Sequence, residues 1–294
     1  MEHLNAAAQR LLNDIANLQQ TARQMCSLTA QKYNPTDDLE RFLCETVIEH
    51  PTKGPIPFLP CDAQLDLVRG LRDMTENLAL ILHSRMMGIT ATLSRYILWL
   101  AANHPNRTIM IAANKFSAGS AYLDHVLYAM EASSVKVPFV KRNTKEKIAF
   151  SNGSSIVNVP ASKDMFNTYS DEITDLFVCD VDSLSYSKHD VVAQKVTQLQ
   201  LQNNMKVIYT STGGEAKGLF WNYWRVDEDR LMTKKFRIPW NLHPDRDEEW
   251  AHNTMQHLGE MTFRTQYCTD FISFEVGGDE KGPSVSTPGP SSML

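Results

Sequence analysis

The sequence predicts an α/β fold built on a parallel sheet flanked by helices, and three observations carry that expectation. Apolar runs at residues 78–82, 108–113, 176–179 and 206–210 have the length and composition of strands buried on both faces. Between them, residues 90–103, 117–133 and 188–202 are of helical length, the first with Leu93, Ile97, Leu98 and Leu100 on its apolar side. Strands alternating with helices imply right-handed crossovers, which place ligands at the carboxyl ends of the strands. The unusual polar residues of this chain fall at those ends.

Composition sets outer bounds. With 294 residues the chain can bury a large core. Its 43% hydrophobic and 21% charged residues are ordinary for a globular protein. The net charge of -5 provides no general basic field, so contact with nucleic acid would have to use a local patch. Five cysteines, at 26, 44, 61, 179 and 268, show no Cys-x-x-Cys spacing, so neither a zinc site nor a disulfide framework is expected, and a reducing cytoplasm fits best. No stretch approaches ~18 uninterrupted apolar residues, and no membrane span is expected.

In chain order, residues 1–31 read as one helix, with Leu4, Leu11, Leu18 and Met25 recurring every seven residues and Ala8, Ile15 and Ala22 four residues after them. That stripe suits a coiled coil or, more simply, packing on a neighbouring domain. Asn34-Pro35 ends the helix, Asp37-Asp38 starts a second one running to Val47, and the four prolines between 51 and 60 mark a linker. A helix over 64–74 precedes the first strand, and residues 148–159 form a hairpin turned at Asn152-Gly153. Beyond Trp224 the chain becomes more polar, with a last helix at 249–258. From Val276 onward Gly, Ser, Thr and Pro predominate, the composition of a disordered tail. The expected organisation is a helical N-terminal extension over 1–54, an α/β core over 55–225, a small C-terminal subdomain over 226–275 and a tail over 276–294.

The first strand runs into Ser84-Arg85-Met86-Met87-Gly88-Ile89-Thr90 and then a helix. A loop that brings a glycine and a hydroxyl to a helix start can cradle a phosphate, because the first N–H groups of a helix have no intrahelical partner. Phosphate loops of this kind end in Gly-Lys-Ser/Thr, and the lysine position here holds Ile89. A tight turn followed by a helix cap is the other meaning of Gly88 and Thr90.

Taken together, the segments between Pro55 and Phe274 resemble the ATPase domain of the phage large terminase subunit, most closely its T4-like branch. Ile56-Pro57-Phe58 followed by Gln64 is similar to the family's adenine-side glutamine motif. The loop at 84–90 is similar to its Walker A sequence Ser-Arg-x-x-Gly-Lys-Thr. Ala113-Asn114-Lys115-Phe116-Ser117 resembles the segment after the second strand, and Asn152-Gly153-Ser154-Ser155-Ile156 the hairpin. Phe177-Val178-Cys179-Asp180 occupies the Walker B position and Thr210-Ser211-Thr212 the coupling motif. Pro239-Trp240, the run from His243 to Trp250, and Phe263-Arg264-Thr265-Gln266-Tyr267 resemble the end of that domain.

The resemblance implies a P-loop NTPase fold of the RecA/ASCE-like type, with ATP and magnesium as ligands and residence in the host cytoplasm. It implies the phage portal, other packaging-motor subunits and double-stranded DNA as partners. Carried over residue by residue, it puts Gln64 on adenine, Ser84 and Arg85 on the nucleotide and Gly88 at the turn of the loop. Thr90 would ligate magnesium through its hydroxyl and Asp180 through its carboxylate, with Thr210, Ser211 and Thr212 coupling the site to the rest of the domain.

The departures fall on the chemistry. Ile89 replaces the Walker A lysine, and Val181 replaces the glutamate that follows the Walker B aspartate. Neither side chain neutralises phosphate charge or polarises a water. Residues 166–170 also lack the family's Arg-Gly pair. No catalytic position is intact, so hydrolysis is expected to be lost or impaired and binding of ATP and magnesium to be weak or vestigial. Asp182, two residues beyond Asp180, would share its face of the strand and help hold the metal. The family continues into a nuclease domain and this chain into its tail, so DNA cleavage is not expected. Restoring Ile89→Lys with Val181→Glu is expected to raise nucleotide affinity or turnover. The alternative function is a non-catalytic module docking on the portal, on an active terminase or on DNA.

Several residues carry two readings. Gln64 reads adenine or is an exposed helix residue, and Arg85 is a catalytic cation or the partner of a surface carboxylate. Lys115 reaches the phosphates or is a solvated lysine after a strand. Lys136, Lys141, Arg142, Lys145 and Lys147 form a basic cluster suited to phosphate contacts or simply a solvated face. Phe220, Trp221, Tyr223 and Trp224 suit core packing better than base stacking.

Overall fold

A computed structural model of the chain describes residues 38–50, 52–133, 135, 137–138, 140–144, 146–161, 173–228, 232–273 and 284–286. The predicted helix over 1–31, residues 166–170 and most of the predicted tail lie outside them. Packing divides the chain into two compact units, one drawn from residues 1–60 and 127–136 and the other from 61–126 and 137–294.

In the first unit, helix α1 (Asp38–Cys44) buries Leu39, Phe42 and Leu43. It stops short of the predicted end at Val47, because β-branched Thr46, Val47 and Ile48 favour extended backbone. Strand β1 (Val47–His50) instead pairs antiparallel with β2 (Gly54–Pro57), with Ile48 opposite Ile56. The expected linker over 51–60 is thereby corrected. Both strands of a two-stranded sheet are edges, where Pro55 and Pro57 are tolerated.

The chain continues with α2 (Asp62–Asp73), β3 (Leu78–His83), α3 (Ile89–Asn103), β4 (Thr108–Ala113) and α4 (Phe116–Ala132), whose residues from 127 onward are assigned to the first unit. After these come β5 (Val140–Asn143), β6 (Lys147–Phe150), β7 (Ser155–Pro160), β8 (Asp175–Cys179), α5 (Tyr186–Asn203) and β9 (Lys206–Ser211). The chain closes with β10 (Gly214–Glu215), α6 (Gly218–Trp224), β11 (Thr233–Ile238), α7 (Glu248–Leu258), α8 (Glu260–Gln266), β12 (Phe271–Ser273) and β13 (Ser284–Ser286).

Among the described residues, eight strands form the main sheet, in the order β11-β3-β9-β8-β4-β7-β6-β5. Pairing is parallel from β11 through β7 and antiparallel at β6 and β5. The predicted hairpin is β6 and β7, with Ile148 opposite Ile156. No strand is expected from the sequence at 233–238. Strand β11 buries Thr233, Phe236 and Ile238 while Arg237 is exposed, and this edge pattern reads as polar chain.

On one face of the sheet, Leu80, Leu82, Met110, Leu176, Val178, Val207 and Tyr209 pack with Val192, Val196 and Leu199 of α5 and Leu219, Phe220 and Trp224 of α6. The intervening residues Ile81, Ile109, Ile111, Phe177 and Ile208 are equally buried on the other face. Both faces are covered, which is why these strands read as unbroken apolar runs. A smaller sheet joins β10, β12 and β13. Its last strand, Ser284–Ser286, lies in the stretch expected to be a disordered tail and pairs antiparallel with Phe271–Ser273.

Candidate functional site

Because β3, β8, β9 and β11 run parallel, their carboxyl ends gather along one edge of the sheet. The register sets Leu82 beside Ser211 and Ile238 beside His83. The loop from Ser84 to Gly88, the turn from Asp180 to Ser183 and the triplet Thr210-Ser211-Thr212 all leave from this edge.

The start of the loop is anchored through its amides. Ser84 is fully buried; its N–H donates to the Ile238 carbonyl at 2.8 Å, and the Arg85 N–H donates to the Gln266 carbonyl at 2.8 Å. Met86 and Gly88 both take positive φ, 60° and 67°, and Gly88 caps helix α3 in the left-handed conformation. A Cβ at Gly88 would stand 2.7 Å from Gln64 Nε2, so glycine serves both the backbone angle and the close approach. Among the described residues, the N–H groups of Met86, Met87 and Gly88 have no acceptor. Three free amides in a curled loop at a helix start are the donor set of an anion site, and they fit the phosphate portion of a nucleotide.

Gln64 is neither an exposed helix residue nor free to roam. It is buried; its Oε1 accepts from the Cys61 N–H at 2.9 Å and its Nε2 donates to the Met87 carbonyl at 2.8 Å. Ile89 and Val181 are both buried, 3% and 0% exposed, so these two positions belong to the core. Thr90 is half-buried, and the buried Tyr122 hydroxyl lies against it and the Cys179 thiol. Arg85 and Lys115 are exposed.

Asp180 and Asp182 do not share a strand face, which corrects the expectation built on that geometry. Strand β8 ends at Cys179, Asp180 turns left-handed with φ 52°, and Val181–Ser183 forms a single 3-10 turn. The Asp180 N–H donates to Thr210 Oγ1 at 3.1 Å. Both Asp182 carboxylate oxygens accept hydroxyls, from Ser211 at 3.2 Å and from Thr212 at 3.1 Å. Asn114 Nδ2 ties the end of β4 to the Ser183 carbonyl at 2.7 Å. The predicted coupling triplet is thus bonded to the turn that follows β8. Although Asp180 reaches solvent, partial burial raises its carboxyl above the usual range; Asp182 adds to that shift, and His83 and Arg85 oppose it. Burial lowers His83. Among the described residues, no group of three or more His, Cys, Asp or Glu is placed to hold a metal ion.

Solved structures of similar fold exist. The ATPase domain of the large terminase of Thermus phage P74-26 superposes with a TM-score of 0.57 and 14% identity, over 73% of this chain and 95% of that one. The large terminase of the HK97 bacteriophage gives 0.55 and 14%, over 71% of this chain and 44% of that one. That of a thermophilic bacteriophage, solved in complex with ADP, gives 0.57 and 10%, over 71% and 53%. The fold is that of the large terminase ATPase domain. No protein-family model and no curated protein matches the sequence.

Beyond this terminase-like frame, the structure adds a residue that the sequence reading left without a role. Arg246, in the run between His243 and Trp250, lays its guanidinium on the loop. It donates to Ser84 Oγ at 3.3 Å, to the Arg85 carbonyl at 3.2 and 3.3 Å, and to the Met86 carbonyl at 2.8 Å. More than 150 residues separate it from the loop, and no spacing rule links the two. Phe220 and Trp224 stack at 5.7 Å within the core, and Trp221 meets Phe271 at 4.8 Å, so this aromatic group packs as expected. Of the basic cluster, Lys136 and Lys145 lie outside the described residues, and Lys147 lies on β6. No helix among the described residues is long and apolar enough to cross a membrane.

Proposed function

We propose that the chain is a phage DNA-packaging protein of the terminase ATPase type that binds a nucleotide at residues 84–90 without hydrolysing it. The observation that carries this reading is the pairing of three unclaimed loop amides with two buried apolar side chains at the hydrolytic positions. The amides of Met86, Met87 and Gly88 suit phosphate, while Ile89 supplies no charge to it and Val181 orients no water. Complexes of a thermophilic phage terminase with ADP and ATP-gamma-S support a nucleotide as the ligand of this fold. Magnesium binding would rest on Asp180, which faces solvent, and on Thr90. Asp182 serves the coupling triplet first, and the partners are other packaging-motor subunits, the portal and DNA.

The reading of a non-catalytic docking module draws on the same buried Ile89 and Val181. It differs in expecting no nucleotide at all. Incubating the purified chain with γ-labelled ATP and magnesium and following phosphate release tests the proposal. Release at the rate of the buffer control is expected; multiple turnovers abolished by Asp180→Ala would overturn it.

A further inference from the structure

Each free amide of the loop belongs to a peptide plane whose carbonyl is held from outside. In a trans peptide the C=O and the following N–H point in opposite directions. The Arg85 and Met86 carbonyls, which share planes with the Met86 and Met87 N–H groups, are both held by Arg246. The Met87 carbonyl, which shares a plane with the Gly88 N–H, is held by Gln64. Fixing three carbonyls on one side fixes three donors on the other.

Arg246 is itself immobilised from behind. Its guanidinium carbon lies 4.5 Å from the centroid of the Trp250 ring and 5.9 Å from that of Tyr267. Those rings pack with Trp240 and Phe263 in a cluster of their own. Stacked on aromatic faces, the planar fork loses little further freedom in reaching several acceptors, a geometry that a lysine ammonium does not reproduce.

We propose that Arg246 is a positioning residue for polyphosphate binding: by holding the Arg85 and Met86 carbonyls against the Trp250 face, it aims the Met86 and Met87 amides at the anion. The ligand rests on the nucleotide reading above; the aiming of the amides does not. Arg246 therefore acts through the backbone, and its charge alone does not replace it.

The test compares the full chain with Arg246→Lys, Arg246→Ala and Trp250→Phe in two measurements. Backbone 15N relaxation without ligand is expected to give order parameters near about 0.85 at Met86 and Met87 in the parent, falling below about 0.6 in both Arg246 variants. Titration with inorganic tripolyphosphate is expected to weaken at least 10-fold in both, and more modestly in Trp250→Phe, which keeps every Arg246 donor. Parent-like affinity and a rigid loop in Arg246→Lys would overturn the proposal. Absence of tripolyphosphate binding by the parent would sink the nucleotide reading and the phosphate role with it, while the relaxation data separately decide whether Arg246 holds the loop. Thermal melts of each variant separate a local loss of order from global unfolding, and retained melting with an unchanged loop counts against the proposal.

Discussion

Gln64 donates from Nε2 to the Met87 carbonyl at 2.8 Å across the start of helix α3, linking α2 to the loop. The same side chain closes the start of its own helix by accepting from Cys61 N–H. Gln64→Glu keeps the second bond and replaces the first with a carboxylate facing a carbonyl. A loss of about 1–3 kcal/mol is expected, the cost of an unmet buried polar group. Urea unfolding with an unchanged slope measures it, and an unshifted midpoint would show that the bond does not hold the loop.

Gly88 is constrained twice, by a φ of 67° and by Gln64 Nε2 standing where a Cβ would point. Gly88→Ala is expected to cost about 1–2 kcal/mol from the left-handed backbone alone. Repeating it in a Gln64→Ala background removes the steric part, and the smaller cost there measures the contact between the two residues.

Asp182 accepts from both Ser211 and Thr212. Asp182→Ala leaves two hydroxyls without that acceptor and is expected to cost about 1–3 kcal/mol. A double-mutant cycle with Thr212→Val should give a coupling of about 0.5–3 kcal/mol, as for residues in one network. Additive single costs would mean that the triplet and the turn are independent.

Introducing Ile89→Lys together with Val181→Glu is expected from sequence to raise nucleotide affinity or turnover, and the structure divides that expectation. Val181 is fully buried in the core cluster beside Leu184 and Val192. Val181→Glu places an uncompensated carboxylate there, and a loss of about 3–5 kcal/mol is expected. Ile89 is also buried, but it opens helix α3 at the edge of the loop, where a lysine stem can carry its ammonium out to the loop, so Ile89→Lys alone is expected to raise ATP affinity at a smaller cost in stability than Val181→Glu. Calorimetric titration and thermal melting of the two single variants check both halves.

The sheet was legible because strands buried on two faces have little choice of residue, as in Thr108–Ala113, where every position is buried. Strand β11 was not, because an edge strand with Lys234, Lys235 and Arg237 looks like loop. The hairpin of β1 and β2 was masked by its prolines, which a two-stranded sheet accommodates. At the site, the placement of Ser84 and Gly88 in the loop before α3, and of Thr210 and Ser211 at the end of β9, was legible because local sequence sets the loop and the strand ends. The strand argument for Asp182 failed because the chain turns at Asp180, a left-handed non-glycine residue that period-two reasoning does not foresee. Arg246 was invisible because its role depends only on tertiary packing.

The most direct measurement is calorimetric titration of MgATP into the full chain. Saturable binding at one site per chain, weakened by Arg246→Ala and strengthened by Ile89→Lys, is the expected result. No heat of binding at millimolar MgATP, in the parent and in Ile89→Lys alike, would contradict the nucleotide-loop account.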